Sequence, residues 1–263
     1  MKKCGKAFAS LALALFTTSA PAVMAAEEMP QCITDWVAEG SYTEFNGQQV
    51  FVHASGPEGD EGVLIVHGYP GSSWDFANVV GPVAEQTRVV VPDMLGFGQS
   101  GTPLTGTYKD NFSLLTQADL YEHVAAEQGL ETVILVAHDM GQTVGLELMA
   151  RQEEGKLPFR IKHAILLNGS TLVDMVELTE GQKKSLDLPD QALTEAAPRE
   201  EWSKDLDGTY GSKMHAEEGA VDAALECQVA QIYANDGALV MSNIVRYLLE
   251  RATSTSSLAA GAR

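Results

Sequence analysis

Asp139 stands at the end of the apolar run Thr132-Val133-Ile134-Leu135-Val136-Ala137, followed by Met140-Gly141 and a stretch of helical pattern to Glu153. Strand, small residue, x, Asp, x, Gly, helix is the outline of a sharp turn that lifts a side chain above a sheet. Small residues flank such a turn because it brings backbone segments together. On its own, an aspartate at a strand-to-helix junction is an N-cap. Two more segments change that. Val66-His67-Gly68-Tyr69-Pro70-Gly71-Ser72-Ser73-Trp74 follows another apolar run, and Pro92-Asp93-Met94-Leu95-Gly96-Phe97-Gly98-Gln99-Ser100 follows a third. In that order and spacing, the backbone N–H groups of Tyr69 and Met140 are expected to converge as donors to a developing oxyanion. Tyr69–Pro70 is a candidate for cis geometry. A carboxylate is already ionised at neutral pH and can displace a leaving group from saturated carbon without a base. The product is an alkyl ester of Asp139, and its release needs water activated by a histidine that an acid orients.

The elements that must hold these residues alternate. Ser41 to Phe45 and Gln49 to His53 flank Asn46-Gly47, a strong hairpin signal. Gly62 to Val66, Thr87 to Val91, Thr132 to Ala137 and His163 to Leu167 are continuous apolar runs suited to parallel strands buried on both faces. Ser73 to Gln86, Ser113 to Gln128 and Gly141 to Glu153 read as crossover helices between them. The expected class is α/β, with a mostly parallel sheet and helices on both faces. From about Leu172 to Arg251 the pattern is polar and helical, an inserted lobe after the fourth parallel strand.

The motifs HGYPGSSWDF, DMLGFGQS, HDMG, LLNG (Leu166 to Gly169) and NDGALV (Asn235 to Val240) resemble the α/β-hydrolase superfamily. The resemblance is to the branch of epoxide hydrolases and haloalkane dehalogenases with an aspartate nucleophile, and nearest to mesoderm-specific transcript-like hydrolases. It spans roughly Tyr42 to Arg251. It implies Asp139 as nucleophile, Tyr69 and Met140 as oxyanion donors, and a helical cap from Leu172 onward. The implied division is signal peptide 1–26, core 40–170, cap 171–251 and a disordered tail 252–263. The implied substrate is a small apolar electrophile, an epoxide or an alkyl halide. Dehalogenases of this branch place a tryptophan after the nucleophile, where this chain has Met140, so an epoxide is favoured over a halide. Epoxide hydrolases offer two cap tyrosines to the ring oxygen. Tyr210 and Tyr233 are the candidates, although the usual Asn-Trp-Tyr-Arg stretch here reads Asn243-Ile244-Val245-Arg246.

No histidine stands in an obvious position to serve as base. His138 precedes the nucleophile in its strand, so its side chain should point away. His67 belongs to the oxyanion loop, His163 begins a strand at the far edge, and His53 and His123 have no motif around them. His215, in the cap, is the one open candidate. Asn168 occupies the position where the orienting acid sometimes follows the fourth strand. The resemblance ends after Glu250-Arg251, so the chain is expected to be a truncated or frame-shifted hydrolase. Such a chain lacks the C-terminal strands, turns over poorly and has a cut sheet edge. A protein of the same fold that only binds small molecules is the alternative of another class.

The 263 residues carry a formal net charge of −19, which repels phosphate backbones and argues against nucleic-acid binding. Lys2, Lys3 and Lys6, the apolar run Ala7 to Phe16, and Val23-Met24-Ala25 have the order of a secretory signal, too short to anchor stably in a membrane. The expected location is periplasmic or secreted. Cys32 and Cys227 either pair in an oxidising compartment or stay as two buried thiols. No metal-ligand spacing or phosphate-cradling loop is present, and no cofactor is expected.

Overall fold

The structure is a computed structural model that describes residues 29–169, 178–191, 198–208 and 220–253. It opens with α1 (Gln31–Ala38), which the sequence reading did not anticipate, then the hairpin β1 (Gly40–Phe45) and β2 (Gln48–Ser55). At the hairpin turn Asn46 and Gly47 have φ of 51° and 74°, the left-handed pair that a two-residue turn between twisted strands requires. Next come β3 (Glu61–Val66), a 3-10 turn (Ser73–Phe76), α2 (Ala77–Ala84), β4 (Arg88–Pro92), α3 (Tyr108–Asn111) and α4 (Leu114–Glu127). After these follow β5 (Thr132–His138), α5 (Met140–Glu153) and β6 (Arg160–Leu167). Every strand expected from the apolar runs is present, within three residues of its expected bounds.

The sheet has six strands in the order β1-β2-β4-β3-β5-β6, with β1 and β2 antiparallel and the last four parallel. The expected α/β-hydrolase fold is therefore the observed one. Along β3 the side chains alternate between two cores. Leu64 and Val66 join the large apolar cluster shared with α4, α5 and the helices that follow β6, whereas Val63 and Ile65 join Trp36, Phe51, Val80, Val89 and Val91 on the other face. Burial on both faces explains why β3 and β4 read as unbroken apolar runs. β6 forms the edge and leaves Ile165 49% and Leu167 39% exposed.

Among the described residues beyond β6 all regular elements are helical: α6 (Glu180–Leu186), α7 (Arg199–Leu206), α8 (Ala220–Tyr233), a 3-10 segment (Ala234–Leu239), α9 (Met241–Ile244) and α10 (Tyr247–Thr253). α10 carries helix two residues into the stretch expected to be a disordered tail; the remainder of that tail and the signal segment lie outside the described residues. Asn235 and Asp236, with φ of 47° and 64°, turn the chain after α8 so that Asn235 Nδ2 donates to the Gln99 carbonyl at 2.8 Å. Gln99 Nε2 donates to Gln231 Oε1 at 3.0 Å, so this lobe is docked on the loop after β4. A second tie is the disulfide Cys32–Cys227 between α1 and α8, which settles the two alternatives for these cysteines in favour of pairing. Among the described residues no helix is long and apolar enough to cross a membrane.

Asp93, fully buried after β4, accepts N–H bonds from Ser73 and Gln99, both at 2.7 Å. It thereby fixes the loop after β3 to the loop after β4. Burial pushes its carboxyl up to about 6, against the lowering effect of those donors. The folded value lies above the ordinary 3.8, so the associated stability is fully present below about pH 4 and lost as pH rises through about 6. Asp93→Asn is expected to remove this slope, worth on the order of 2–3 kcal/mol between those limits. Urea unfolding of both proteins at about pH 4 and about pH 7.5 checks it; parallel pH dependences would refute it.

Candidate active site

β3 and β5 are hydrogen-bonded neighbours in parallel register, with Val66 opposite Ala137. The loops that leave their carboxyl ends must therefore run side by side. β4 lies on one side of β3 and β5 on the other, so the chain reverses its direction of progress across the sheet here. Crevices form at such a switch point. Asp139 follows β5 directly with φ 54° and ψ −121°, a conformation costly for any residue with a side chain. The tight turn is held by two donors. Asp139 Oδ1 accepts the Met140 N–H at 2.5 Å and, from across the crevice, the Tyr69 N–H at 2.9 Å. The Tyr69–Pro70 bond is cis.

Gly141 makes this approach feasible. A Cβ there would lie 2.2 Å from the His67 carbonyl oxygen and 2.6 Å from that of Val66. Both are backbone atoms, so α5 would have to part from β3. Gly141→Ala is expected to cost about 3 kcal/mol of stability, measured by urea unfolding; a loss under about 1 kcal/mol would show that the turn relaxes freely.

His67 is locked in place rather than poised. Its Nδ1 pairs with the Gly68 carbonyl at 3.0 Å and its Nε2 accepts the Met94 N–H at 2.9 Å. Complete burial lowers its pKa to about 4, so the ring is neutral and both nitrogens are occupied. His138 points away from Asp139, as strand alternation requires, and its Nε2 lies 3.2 Å from Asn168 Nδ2. Among the described residues no histidine hydrogen-bonds Asp139. His215 and Tyr210 lie outside the described residues.

Asp139 opens into a pocket of about 680 Å³ whose walls include Tyr69, Trp202, Leu206, Val245 and Tyr247. Tyr233 is not brought to it. The Arg199 guanidinium sits 4.5 Å from the Tyr233 ring centroid, in a separate groove with Met29 and Pro30. The polar side chains that do line the Asp139 pocket, Thr179, Gln182, Lys184, Ser185, Glu201 and Asp205 with Trp202 and Tyr247, were missed. Trp202 Nε1 is buried there without a hydrogen-bond partner. Tyr247 is 5% exposed, its ring 6.3 Å from that of Tyr69. Tyr247 stands one residue past Arg246, so widening the compared stretch by one position would have found it. Burial lowers the pKa of Arg251 on the same helix, while Tyr247 and Asp139 draw its charge the other way.

The model of the alpha/beta hydrolase fold family matches residues 62–225. LipZ of Mycobacterium tuberculosis, named as a hydrolase, is 40% identical over 151 residues, which are 57% of this chain and 50% of LipZ. The soluble epoxide hydrolase of Corynebacterium sp. (strain C12) is 33% identical over 82 residues, 31% of this chain and 27% of that protein. The chain thus spans about half the length of LipZ. Among solved structures, Cfl2 of Burkholderia cenocepacia superposes with a TM-score of 0.65 at 21% identity, covering 84% of this chain and 74% of Cfl2. That likeness concerns the fold. The family match covers more than half of the residues, including both loops that meet at Asp139, and the chain belongs to the alpha/beta hydrolase fold family.

Proposed function

We propose that this chain is an epoxide hydrolase-like member of the family, in which Asp139 attacks a strained or activated saturated carbon. The observation that carries this is the double contact on one carboxylate oxygen. Oδ1 already occupies the point where the Tyr69 and Met140 N–H groups converge, so Oδ2 is left as the attacking atom. Attack forms the Cγ–Oδ2–C ester and breaks the ring C–O bond, and the departing alkoxide takes a proton. Tyr247, Lys184, Ser185 and Thr179 are among the pocket-lining residues that carry a donor for that oxygen. When water then adds to the ester carbonyl, negative charge develops on Oδ1, where the same two N–H groups stabilise it. Release of the diol needs a base to take the proton of that water, and among the described residues no histidine hydrogen-bonds Asp139, so the proposal rests on formation of the ester. Similarity to an epoxide hydrolase over 82 residues supports the same chemistry.

Carbon–halogen cleavage is the alternative, favoured by one feature. The Trp202 ring lines the pocket, and its indole N–H, which has no hydrogen-bond partner, suits a halide if the ring turns to present it. An oxidising compartment, periplasmic or extracellular, suits the Cys32–Cys227 bond. Incubation with styrene oxide and, separately, 1-bromobutane, followed by intact mass and peptide mapping, tests the proposal. One adduct on the Asp139 peptide with the epoxide is the expected result, and an adduct only with the bromide selects the alternative. No adduct with either, or one confined to other residues, overturns both.

A further inference from the structure

The side chains around Asp139 are not equally suited to give a proton to a departing alkoxide. Thr179 and Lys184 are exposed and Ser185 is half-buried, whereas Tyr247 is 5% exposed. A donor held out of water acts more strongly on developing charge than a solvated one. The Tyr247 ring stands 6.3 Å from that of Tyr69, whose N–H holds Asp139 Oδ1. Tyr247 opens α10, which has only seven residues. A helix that short does not hold its own position, so contacts outside it must.

Two ties supply them, one on each side of Tyr247, and both lead to Tyr108 at the start of α3. After Tyr247, Glu250 Oε2 accepts the Tyr108 hydroxyl at 2.6 Å and the Leu114 N–H at 2.8 Å. Before it, Arg246 Nε lies 3.7 Å from Asp190 Oδ1, which also accepts the Tyr108 N–H at 2.9 Å. Tyr108 itself is fixed, 4% exposed and part of the main apolar cluster. Burial, and then the Glu250 carboxylate, push its hydroxyl well above the ordinary tyrosine value, so it stays protonated and donating. Tyr247 lies within electrostatic reach of Tyr108, and Arg251 on the same helix within reach of Tyr247 and Asp139. We propose that Tyr247 is the proton donor to the leaving oxygen and that Tyr108 is its positioning residue, gripping α10 through Glu250 and, by way of Asp190, Arg246. This rests on the reading of Asp139 as nucleophile. As Oδ2 bonds to carbon, the C–O electron pair moves onto the ring oxygen, which takes the Tyr247 proton. Arg251 offsets the charge left on Tyr247 until solvent returns a proton.

The test times covalent capture of styrene oxide on the Asp139 peptide in the unmodified chain, Tyr247→Phe, Tyr108→Phe and the double variant. Tyr247→Phe is expected to slow capture about a hundredfold, and Tyr108→Phe about tenfold through misplacement of the donor. The double variant should be no slower than Tyr247→Phe, because the clasp then has no donor left to position. Phenylalanine keeps the ring of Tyr108 in the core, so urea unfolding should show a loss of only about 1 kcal/mol. Where the unmodified chain also captures 1-bromobutane, Tyr108→Phe should leave that rate unchanged, since bromide departs without a proton. Glu250→Gln should repeat the Tyr108→Phe pattern and decides in its place if that variant does not fold. Losses that multiply in the double variant, or equal slowing of epoxide and bromide, mean that Tyr108 only supports the fold and overturn the proposal. Full-rate capture by Tyr247→Phe overturns it as well. No adduct on Asp139 in the unmodified chain defeats the nucleophile reading, and the proposal with it.

Discussion

Asp139→Asn is expected to abolish covalent capture of styrene oxide and leave the fold standing. The asparagine carbonyl oxygen can take the place of Oδ1 and accept the same N–H bonds from Tyr69 and Met140, so the turn keeps its two ties. Stability should change by no more than about 1 kcal/mol, since both substituents suit a capping position. What disappears is the second oxygen. An amide nitrogen has its lone pair delocalised and cannot displace an alkoxide or a halide. The adduct rate should fall by at least about a thousandfold, to the level of unassisted reaction with the chain. Intact mass over time reports the rate, and urea unfolding reports stability. A variant that is equally stable and still gains the adduct would show that another group is the nucleophile. A variant that unfolds would show that the carboxylate charge, not its geometry, holds the turn.

The parts of this molecule that were legible in the sequence are those fixed by local geometry. Asn46-Gly47 announces a turn because few residue pairs tolerate positive φ at both positions. Gly141 and Asp139 are visible because a strand entering a helix this sharply leaves room for little else. The neighbouring loops then follow from the order of the apolar runs. The pocket walls are set differently. Trp202 and Tyr247 reach Asp139 only because α7 and α10 dock on the core, and no spacing along the chain encodes docking. Tyr233 looked equally eligible, yet the end of α8 turns it to Arg199. α1 was also invisible: eight residues with no side-chain cap and no motif, whose role comes from what it touches in space. Only two of its residues, Ile33 and Trp36, are buried.

Loss of the Cys32–Cys227 bond is expected to be among the most destabilising of the chemical changes considered for this chain. Cys32 lies on α1, which packs through Trp36 against the sheet, and Cys227 lies on α8 in the lobe above the Asp139 pocket. The two are 195 residues apart. A cross-link over so long a loop removes much freedom from the unfolded chain, about 5 kcal/mol in the loop-entropy description, of which measured bonds commonly deliver about 2–4 kcal/mol. Among the described residues, α8 also packs Val229 and Ile232 into the main core, but few polar ties remain beside that packing. Gln99 Nε2 to Gln231 Oε1 and Gln228 Nε2 to Asp75 Oδ1, at 3.0 and 3.4 Å, hold α8 to the core, and such bonds are worth only about 1 kcal/mol each. Cys32→Ser with Cys227→Ser should therefore lower the urea midpoint by an amount equivalent to about 2–4 kcal/mol, and the reduced wild type should match the variant. The lobe should loosen before the sheet does, because the cross-link acts on α1 and α8 and not on the hydrogen-bonded strands. Hydrogen exchange should then speed up first in α8 and the Ala234–Leu239 segment, with β3 and β5 still protected. Thiol labelling of the unfolded, unreduced chain supplies the control. Cys32 and Cys227 should both be protected before reduction and both react after it, whether or not the segment that carries Cys4 is still attached. A midpoint that moves by less than about 1 kcal/mol would mean that packing of α1 and α8, not the covalent bond, keeps the lobe over Asp139.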